Sequence, residues 1–395
     1  MPDKRGATLL EDLPEEIIDK ILIRLQPKDV GRCRAVCPLW RSVSSTPEFM
    51  VEHHRRQPSL PVINGLGRPA SLVILRNIGA GVPSQQLWPF VSGQQNWYEN
   101  YLQGAHGGFL IVSRRSRFYV CNPVLRKHAL LPQPRFGQGI HNSIIGFYQH
   151  HPTREYRVLW VSELQHSSDS SLYILTLGSD EPRHVRIGML SMDQKLLKGL
   201  KPPVHHRGSL HWYPYYYDAS KIVEIGKEII AFHTEVESFR LLGSPPQPYR
   251  YRGLFKMNET LAFWGGSTPH FTTMDIWVMQ DYEAEVWALK YQIDVSTVEA
   301  SRQLYRASSK KKKKTPLDSV VQWFNCMVVL NDRELLILFN DKHVLRCDVD
   351  GKFLGIVNIG KSQYCMFPTW HRVQESIIPI PCHGMQEEDE EPPFS

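Results

Sequence analysis

The segment Asp12–Phe49 decides the fold at the start of this chain, and its sequence is DLPEEIIDKILIRLQPKDVGRCRAVCPLWRSVSSTPEF. Apolar residues recur in it with helical spacing. Pro14 lies in the first turn of one helix, Pro27 stops that helix before Lys28-Asp29 starts a second, and Pro38 opens a third. A unit this small cannot enclose so many apolar side chains in a core of its own. The surplus apolar surface predicts a docking face for another protein.

This pattern closely resembles the F-box, the helical module that binds the Skp-type adaptor of cullin–RING ubiquitin ligases. The matching features are Leu13-Pro14, the apolar stripe Ile17–Leu25, Pro27–Val30, Arg34–Cys37 and Trp40-Arg41. An ordinary helical cap on a larger domain is the alternative interpretation. One departure is Gly31 inside the second helix, which should cost that helix about 1 kcal/mol relative to alanine.

The resemblance implies that apolar side chains of the F-box segment, residues 9–55, contact the adaptor. These candidates are Leu13, Pro14, Ile17, Ile18, Ile21, Leu22, Leu25, Val30, Cys33, Val36, Cys37 and Trp40. Buried aliphatic and aromatic anchors dominate contacts between helices and grooves. We therefore expect Leu13, Ile18, Leu22 and Trp40 to contribute much of the affinity for the adaptor and, through it, for a cullin and a RING protein.

Composition narrows the class of protein. The net charge of +6 over 395 residues is spread thinly, because Lys310–Lys314 and the acidic run Glu387–Glu391 cancel each other. A nucleic-acid binder would concentrate basic residues on one element. Seven scattered cysteines fit a reducing compartment, and neither a signal peptide nor a membrane span is predicted. We expect a soluble protein of the cytoplasm, the nucleus or both.

Residues 60–380 predict a second, all-β domain. Short β-rich runs alternate polar and apolar side chains and are separated by turn residues; they include Ser71–Leu75, Phe118–Cys121, Lys221–Ile225 and Phe353–Ile359. No long amphipathic helix is expected among them. Degenerate units with equivalent points at Asn122, Gln280 and Asp348 suit the four-stranded antiparallel blades of a β-propeller. A sandwich of two sheets is the alternative.

The second domain looks like the plant F-box-associated domain, which is propeller-like and directly follows an F-box. The resemblance rests on the Asn122-Pro123 turn, the strand at Gly146-Phe147 with Tyr156–Val158, and the strand Asp275–Val278. If the domain closes into a ring, the strands near Leu72 and near Tyr364–Phe367 should share a blade, because closure removes exposed edges. Residues 1–8, 307–316 and 383–395 are too polar to fold.

Catalytic and metal motifs are not found in the sequence. RING-type zinc sites require Cys-x-x-Cys pairs, and the chain contains none. Adjacent histidines such as His150-His151 or His205-His206 point to opposite faces of a strand, so they make poor metal sites. The sequence therefore predicts no catalytic residue, no cofactor and no metal, and the chemistry is expected to come from partners.

An aromatic run at His211–Tyr217 is the best candidate for a target-recognition surface, because Tyr and Trp dominate binding hot spots. Its candidate residues are Trp212, Tyr213, Tyr215, Tyr216 and Tyr217. The alternative is that these aromatics pack between blades.

The resemblances together predict the substrate-recognition subunit of a Skp–cullin–F-box E3 ubiquitin ligase, which would not itself be an enzyme. A propeller that binds a ligand or a glycan outside ubiquitination is the alternative function. Lys310–Lys314 is either a nuclear-import signal or a solvated loop.

Overall fold

The computed structural model describes residues 13–67, 71–76, 84–89, 100–114, 116–135, 137, 139–165, 170–185, 200, 202–214, 228–247, 249, 251–266, 273–308, 324–331, 333–339, 343–357 and 363–381. These residues form a helical module, residues 13–57, followed by a six-bladed β-propeller with four antiparallel strands in each blade. Among them, no helix has the length and apolar character that crossing a membrane requires.

The helical module contains four helices, α1 (Glu15–Leu22), α2 (Pro27–Val36), α3 (Pro38–Ser44) and α4 (Pro47–Arg55). Helices α2, α3 and α4 each begin with proline, whose missing N–H costs nothing in the first turn. Thr46 caps α4, since its Oγ1 accepts a hydrogen bond from the Phe49 amide at 3.3 Å. The predicted helix start at Pro38 is confirmed, and the second helix, expected to start at Lys28-Asp29, already includes Pro27.

The strands follow one another blade by blade. Blade 1 contains β1 (Ser59–Gly67), β2 (Ser71–Arg76), β3 (Ser84–Pro89) and the last strand, β24 (Gln363–Gln374). Blade 2 contains β4 (Asn100–His106), β5 (Phe109–Arg114), β6 (Arg117–Asn122) and β7 (Lys127–Leu130), and blade 3 contains β8 (Ile140–Gln149), β9 (Tyr156–Leu164), β10 (Ser170–Thr176) and β11 (Arg183–Val185).

The second half of the ring has the same order. Blade 4 contains β12 (Val204–His206), β13 (Ser209–Trp212), β14 (Glu228–His233) and β15 (Ser238–Gly243). Blade 5 contains β16 (Tyr251–Met257), β17 (Thr260–Gly266), β18 (Thr273–Asp281) and β19 (Val286–Asp294), and blade 6 contains β20 (Phe324–Val329), β21 (Glu334–Phe339), β22 (His343–Asp348) and β23 (Phe353–Ile356).

The two ends of the β domain meet in blade 1. Strand β24 pairs with β1, with Ser59 opposite Gln374, and β1 in turn pairs with β2, which carries Leu72. The prediction that the first and last strands share a blade is confirmed. The sequence pattern missed β1 itself, because Pro61 lacks an N–H for the ladder and the pairing with β24 is irregular between Pro61 and Ile63.

Hydrophobic clusters fill every interface between neighbouring blades. Six such clusters join blades 1 and 2, 2 and 3, 3 and 4, 4 and 5, 5 and 6, and 6 and 1. Trp160, Trp212 and Trp264 are among the largest fully buried side chains in them. A complete ring of interfaces excludes the two-sheet sandwich, so the predicted propeller is confirmed.

One element of the β domain contradicts the prediction of an uninterrupted run of strands. Residues Val295–Ser308 form an α-helix, here α5, between β19 and β20. Its buried contacts are sparse, with Val298 and Arg302 inside and Leu304 exposed, so its apolar periodicity is weak in sequence. The helix includes the first two residues of the predicted 307–316 loop, while Lys310–Lys314 lie outside the described residues.

The repeating unit also needs a correction at one position. Each equivalent point is a side-chain oxygen that accepts amide hydrogen bonds from the turn after a blade's third strand: Asn122 bonds the Val124 amide at 3.0 Å and Asp348 bonds the Asp350 amide at 3.1 Å. In blade 5 this position is Asp281, which bonds the Glu283 amide at 2.9 Å, and not Gln280. The predicted strand Lys221–Ile225 and the segments 1–8 and 383–395 lie outside the described residues.

Candidate adaptor-binding site

Helix α1 separates its apolar side chains onto two faces. Ile18 and Leu22, four residues apart, are buried inside the helical module. Ile17 and Ile21, also four residues apart, lie on the other face and are 40% and 44% exposed. Because residues at i and i+4 share a helix face, α1 has one stripe that holds the module together and a second stripe open to solvent.

Helix α2 repeats this division. Val30 is fully buried in the same cluster as Ile18, whereas Val36, at the last turn, is 75% exposed. Cys33 is half-buried and contacts the cluster from its edge. Burial and the nearby Asp29 raise the pKa of the Cys33 thiol, in that order of importance, which keeps it protonated and disfavours nucleophilic chemistry.

Polar contacts fix α2 against α3. The Arg34 Nε donates to Ser44 Oγ at 3.1 Å, and Ser44 Oγ donates to the Trp40 carbonyl at 2.6 Å. The Arg41 Nε donates to the Arg34 carbonyl at 2.9 Å. Trp40 is half-buried beside these contacts. Arg34, Trp40 and Arg41 therefore take part in hydrogen bonds that hold α2 and α3 together inside the module.

The propeller holds the helical module through the C-terminal segment 374–378. The side-chain amide of Gln374 donates to the backbone carbonyls of His54 at 2.9 Å and Gln57 at 2.8 Å. The His54 Nδ1 bonds the Glu375 carbonyl at 3.2 Å. Ile377 is fully buried among the apolar side chains of the module. The interior of the module is therefore completed by residues that follow the last propeller strand.

The twelve candidate adaptor-binding residues fall into three groups by exposure. Pro14, Ile17, Ile21 and Val36 are exposed, Leu13, Leu25, Cys33 and Trp40 are half-buried, and Ile18, Leu22, Val30 and Cys37 are buried. The expectation that Ile18 and Leu22 act as contact anchors needs correction, because both side chains face the interior of the module. Helical periodicity alone could not show which of two adjacent apolar stripes faces inward.

The aromatic run splits in a similar way. The Trp212 side chain is buried between blades 3 and 4, where its Nε1 donates to the Ile145 carbonyl at 3.0 Å. Tyr213 is buried between blades 4 and 5, in edge-to-face contact with Phe263 at 5.3 Å. For these two residues the structure agrees with packing between blades. Tyr215, Tyr216 and Tyr217 lie outside the described residues.

The described cysteines and histidines give no metal or nucleophile site. In the described part of the chain, no three His, Cys, Asp or Glu side chains are arranged to hold a metal ion. Cys121 and Cys347 are buried in strands. Burial raises the pKa of both thiols, with Asp348 adding to the effect at Cys347, whose pKa rises to about 12.

Comparison with known protein families agrees with this architecture. Residues 10–52 match the F-box domain family, and residues 89–343 match the family described as F-box associated beta propeller domain. The chain belongs to the F-box proteins with an F-box-associated β-propeller. The helical module is its F-box, and both resemblances noted in the sequence are confirmed.

Three relatives from Arabidopsis thaliana illustrate how this F-box protein compares with others. F-box protein At5g18160 is 27% identical over 155 residues, which cover 38% of this chain and 39% of that protein. Putative F-box protein At4g21240 is 21% identical over 73% of this chain and 69% of its own length. F-box protein At3g22700 is 21% identical over 77% of this chain and 91% of its own length.

Proposed function

We propose that this protein is the substrate-recognition subunit of a Skp–cullin–F-box ubiquitin ligase. The observation that carries the proposal is a set of exposed apolar side chains on a module that is otherwise well packed: Ile17 and Ile21 on α1, and Val36 at the end of α2. Exposed aliphatic side chains at helical spacing suit a partner that presents an apolar groove. A Skp-type adaptor is that partner in F-box proteins generally, and a cullin and a RING protein would follow through it.

The role proposed for this chain is to bring a target protein close to the ubiquitin-charged enzyme, without catalysing the transfer itself. The receptor holds a target so that its lysines reach the ubiquitin-charged enzyme of the complex, which raises their effective concentration. Two features support a rigid arrangement: the hydrogen bonds from Gln374 to the module and the burial of Ile377 within it. No catalytic group of this chain is required, and the site of action would be the cytoplasm, the nucleus or both.

The target would bind at the end of the propeller away from the helical module. At the module end, the innermost and second strands of blades 2, 4 and 5 are joined by the two-residue turns 107–108, 207–208 and 258–259. At the opposite end two of the connections are much longer, 186–203 and 213–227. Binding residues concentrate on long loops carried by rigid scaffolds, and Tyr215, Tyr216 and Tyr217 belong to the connection 213–227.

The adaptor contact is tested by a double substitution, Ile17→Asp with Ile21→Asp. Both side chains are exposed, so the module should stay folded while a Skp-type adaptor loses affinity by roughly a hundredfold. Val236→Asp is the matched control, because Val236 is 69% exposed but lies in the turn 234–237 of the propeller. Calorimetric titration with purified adaptor measures the three proteins, and wild-type affinity in the double variant would refute the proposed interface.

The target contact is tested separately in cells. Proximity labelling with the proteasome blocked should identify proteins that accumulate beside the wild-type receptor. Replacing Tyr215, Tyr216 and Tyr217 together by alanine should reduce that labelling without changing recovery of the adaptor and cullin. Recovery of no adaptor or cullin with the wild-type chain would instead favour a propeller that binds ligands outside ubiquitination.

A further inference from the structure

A cavity of about 310 Å³ lies at the centre of the propeller, where all six innermost strands meet. Each of the strands β4, β8, β12, β16, β20 and β24 contributes residues; outside the short β12 these come from the C-terminal part of the strand, and His54 of α4 lines the cavity as well. The cavity therefore lies at the module end of the propeller axis. Its volume is at the lower limit of the range typical of sites for small ligands.

Two histidines in this cavity have ring nitrogens without protein partners. The imidazoles of His106 and His205 stack with their centroids 4.7 Å apart and their planes 19° from parallel. Both rings line the cavity, and within the described residues neither one donates or accepts a hydrogen bond. Both side chains are half-buried and line the cavity, so their ring nitrogens are available to hydrogen-bond a bound species.

The cavity carries positive charge that no carboxylate at its wall balances. The guanidinium of Arg372 donates to Ser59 Oγ at 3.1 Å, to the Ser59 carbonyl at 2.5 Å and to the Val329 carbonyl, and no described carboxylate pairs with it. Burial lowers the pKa of Arg372 to about 10, with a smaller opposing effect of Glu259, so this group stays charged at neutral pH.

A second cation lines the same cavity. Lys256 forms an ion pair with Glu259, but that carboxylate side chain is almost fully exposed and its charge is solvated outside the cavity. Among the described residues that line the cavity there is no Asp or Glu. A metal cation is disfavoured as the occupant, both by this charge and because the described residues offer no set of three metal ligands.

We propose that the central cavity is a binding site for one small anion, a carboxylate or a phosphate carried on a compact apolar body. The charges of Arg372 and Lys256 attract the anionic group, and the free nitrogens of His106 and His205 donate hydrogen bonds to it. Aromatic side chains, among them Phe147 and Tyr156, form the apolar part of the wall. This site is separate from the exposed stripe of the helical module and requires no adaptor.

Calorimetric titration of the full chain with three test anions examines the proposal: inorganic phosphate, phenyl phosphate and benzoate, in a buffer without carboxylate or phosphate. At least one should bind with saturation at a single site. The double variant His106→Leu with His205→Leu should weaken that binding about tenfold or more, because it removes the hydrogen-bond donors and keeps an apolar volume. His151→Leu, at an exposed histidine outside the cavity, is the matched control.

The pattern of binding also identifies the chemistry of the anion. Binding of phenyl phosphate and phosphate alone assigns a phosphate, binding of benzoate alone assigns a carboxylate, and binding of both assigns any compact anion. Lys256→Met is a second variant: it removes the positive charge of Lys256 and leaves the stacked His106 and His205 in place. It too should weaken anion binding. Thermal unfolding checks that the variants are folded, and adaptor affinity should be unchanged in them.

Two results would overturn the proposal. One is the lack of saturable binding of all three anions at about 10 mM, a concentration that would detect even weak millimolar sites. The other is wild-type affinity in both the histidine double variant and Lys256→Met, which would place the bound anion elsewhere on the protein.

Discussion

The helical module and the propeller differ in how far their large apolar side chains are exposed to solvent. The propeller encloses its largest ones between blades, and Trp160, Trp212 and Trp264 are all fully buried. The module leaves Ile17 and Val36 in solvent, although its interior is closed by Ile377 from the far end of the chain. The propeller thus buries its large apolar side chains within itself. The module has a closed core but keeps exposed apolar side chains, which are available to a partner.

The largest expected effect comes from removing the strand on which both regions depend. Truncation at Lys361 deletes β24, which leaves blade 1 with three strands, exposes the edge of β1 and removes Ile377 from the module. Thermal unfolding followed by circular dichroism should lose its cooperative transition or show it at a much lower temperature. Deletion of 383–395 is the control and should leave melting unchanged; equal melting of both truncations would contradict ring closure by β24.

A pair of neighbouring substitutions in α1 sharpens the comparison next. Ile18→Ala removes a buried side chain and should destabilise the helical module by about 2–4 kcal/mol, whereas Ile17→Ala, on the exposed stripe, should change its stability by less than about 0.5 kcal/mol. Hydrogen exchange of the α1 amides, read by mass spectrometry, reports the local opening free energy in each variant. Similar exchange rates in the two variants would show that the two stripes are not distinct.

Acid should weaken the propeller through its buried histidines. Burial lowers the pKa of His106, His211 and His371 to about 4, below the usual value of 6.5. His54 lowers the pKa of His106 a little further, and His206 and Arg240 do the same at His211. Backbone hydrogen bonds partly oppose the shift at His211 and His371. Burial also lowers the pKa of His205, with smaller effects from neighbouring histidines and Lys256. Between pH 6.5 and 4 the unfolded chain therefore binds more protons than the folded one, so stability falls as the pH falls through that window.

The melting temperature should accordingly drop by a few degrees, on the order of one to three kcal/mol of stability, between pH 7 and pH 5. The double variant His106→Leu with His205→Leu should flatten this dependence. A wild-type melting temperature that is constant over this range would show that these histidines are charged in the folded protein or equally perturbed in the unfolded one.

The sequence predicted the module and the class of the β domain because both depend on local patterns. Proline at helix starts, helical spacing around Ile18 and the Asx turns at Asn122 and Asp348 are all readable along the chain. What could not be predicted depends on long-range partners. Strand β1 is formed by pairing with β24, more than 300 residues away, and the inward stripe of α1 is selected by packing that includes Ile377.

The candidate sites show the same limit. Apolar type and spacing predicted twelve adaptor candidates in the helical module, but they could not separate the exposed Ile17 from the buried Ile18, which are chemically identical. The histidines of the central cavity come from separate blades, with His106 on β4, His205 on β12 and His371 on β24. Histidine doublets in the sequence gave no indication that one member of a doublet would meet a single histidine from another blade.

The smallest expected effect concerns a weak point in the helical module. Gly31 lies in the second turn of α2, and a Cβ added to it would meet no atom within 4 Å. Because alanine loses less backbone entropy than glycine on helix formation, Gly31→Ala should stabilise the module by about 1 kcal/mol. Hydrogen exchange of the α2 amides should slow accordingly, and denaturation of the propeller should not change.

The same variant should bind the adaptor with wild-type affinity, because Gly31 is not one of the exposed apolar side chains proposed to contact the adaptor. A loss of adaptor affinity without a loss of stability would place the interface across the middle of α2 and not at the exposed side chains Ile17, Ile21 and Val36.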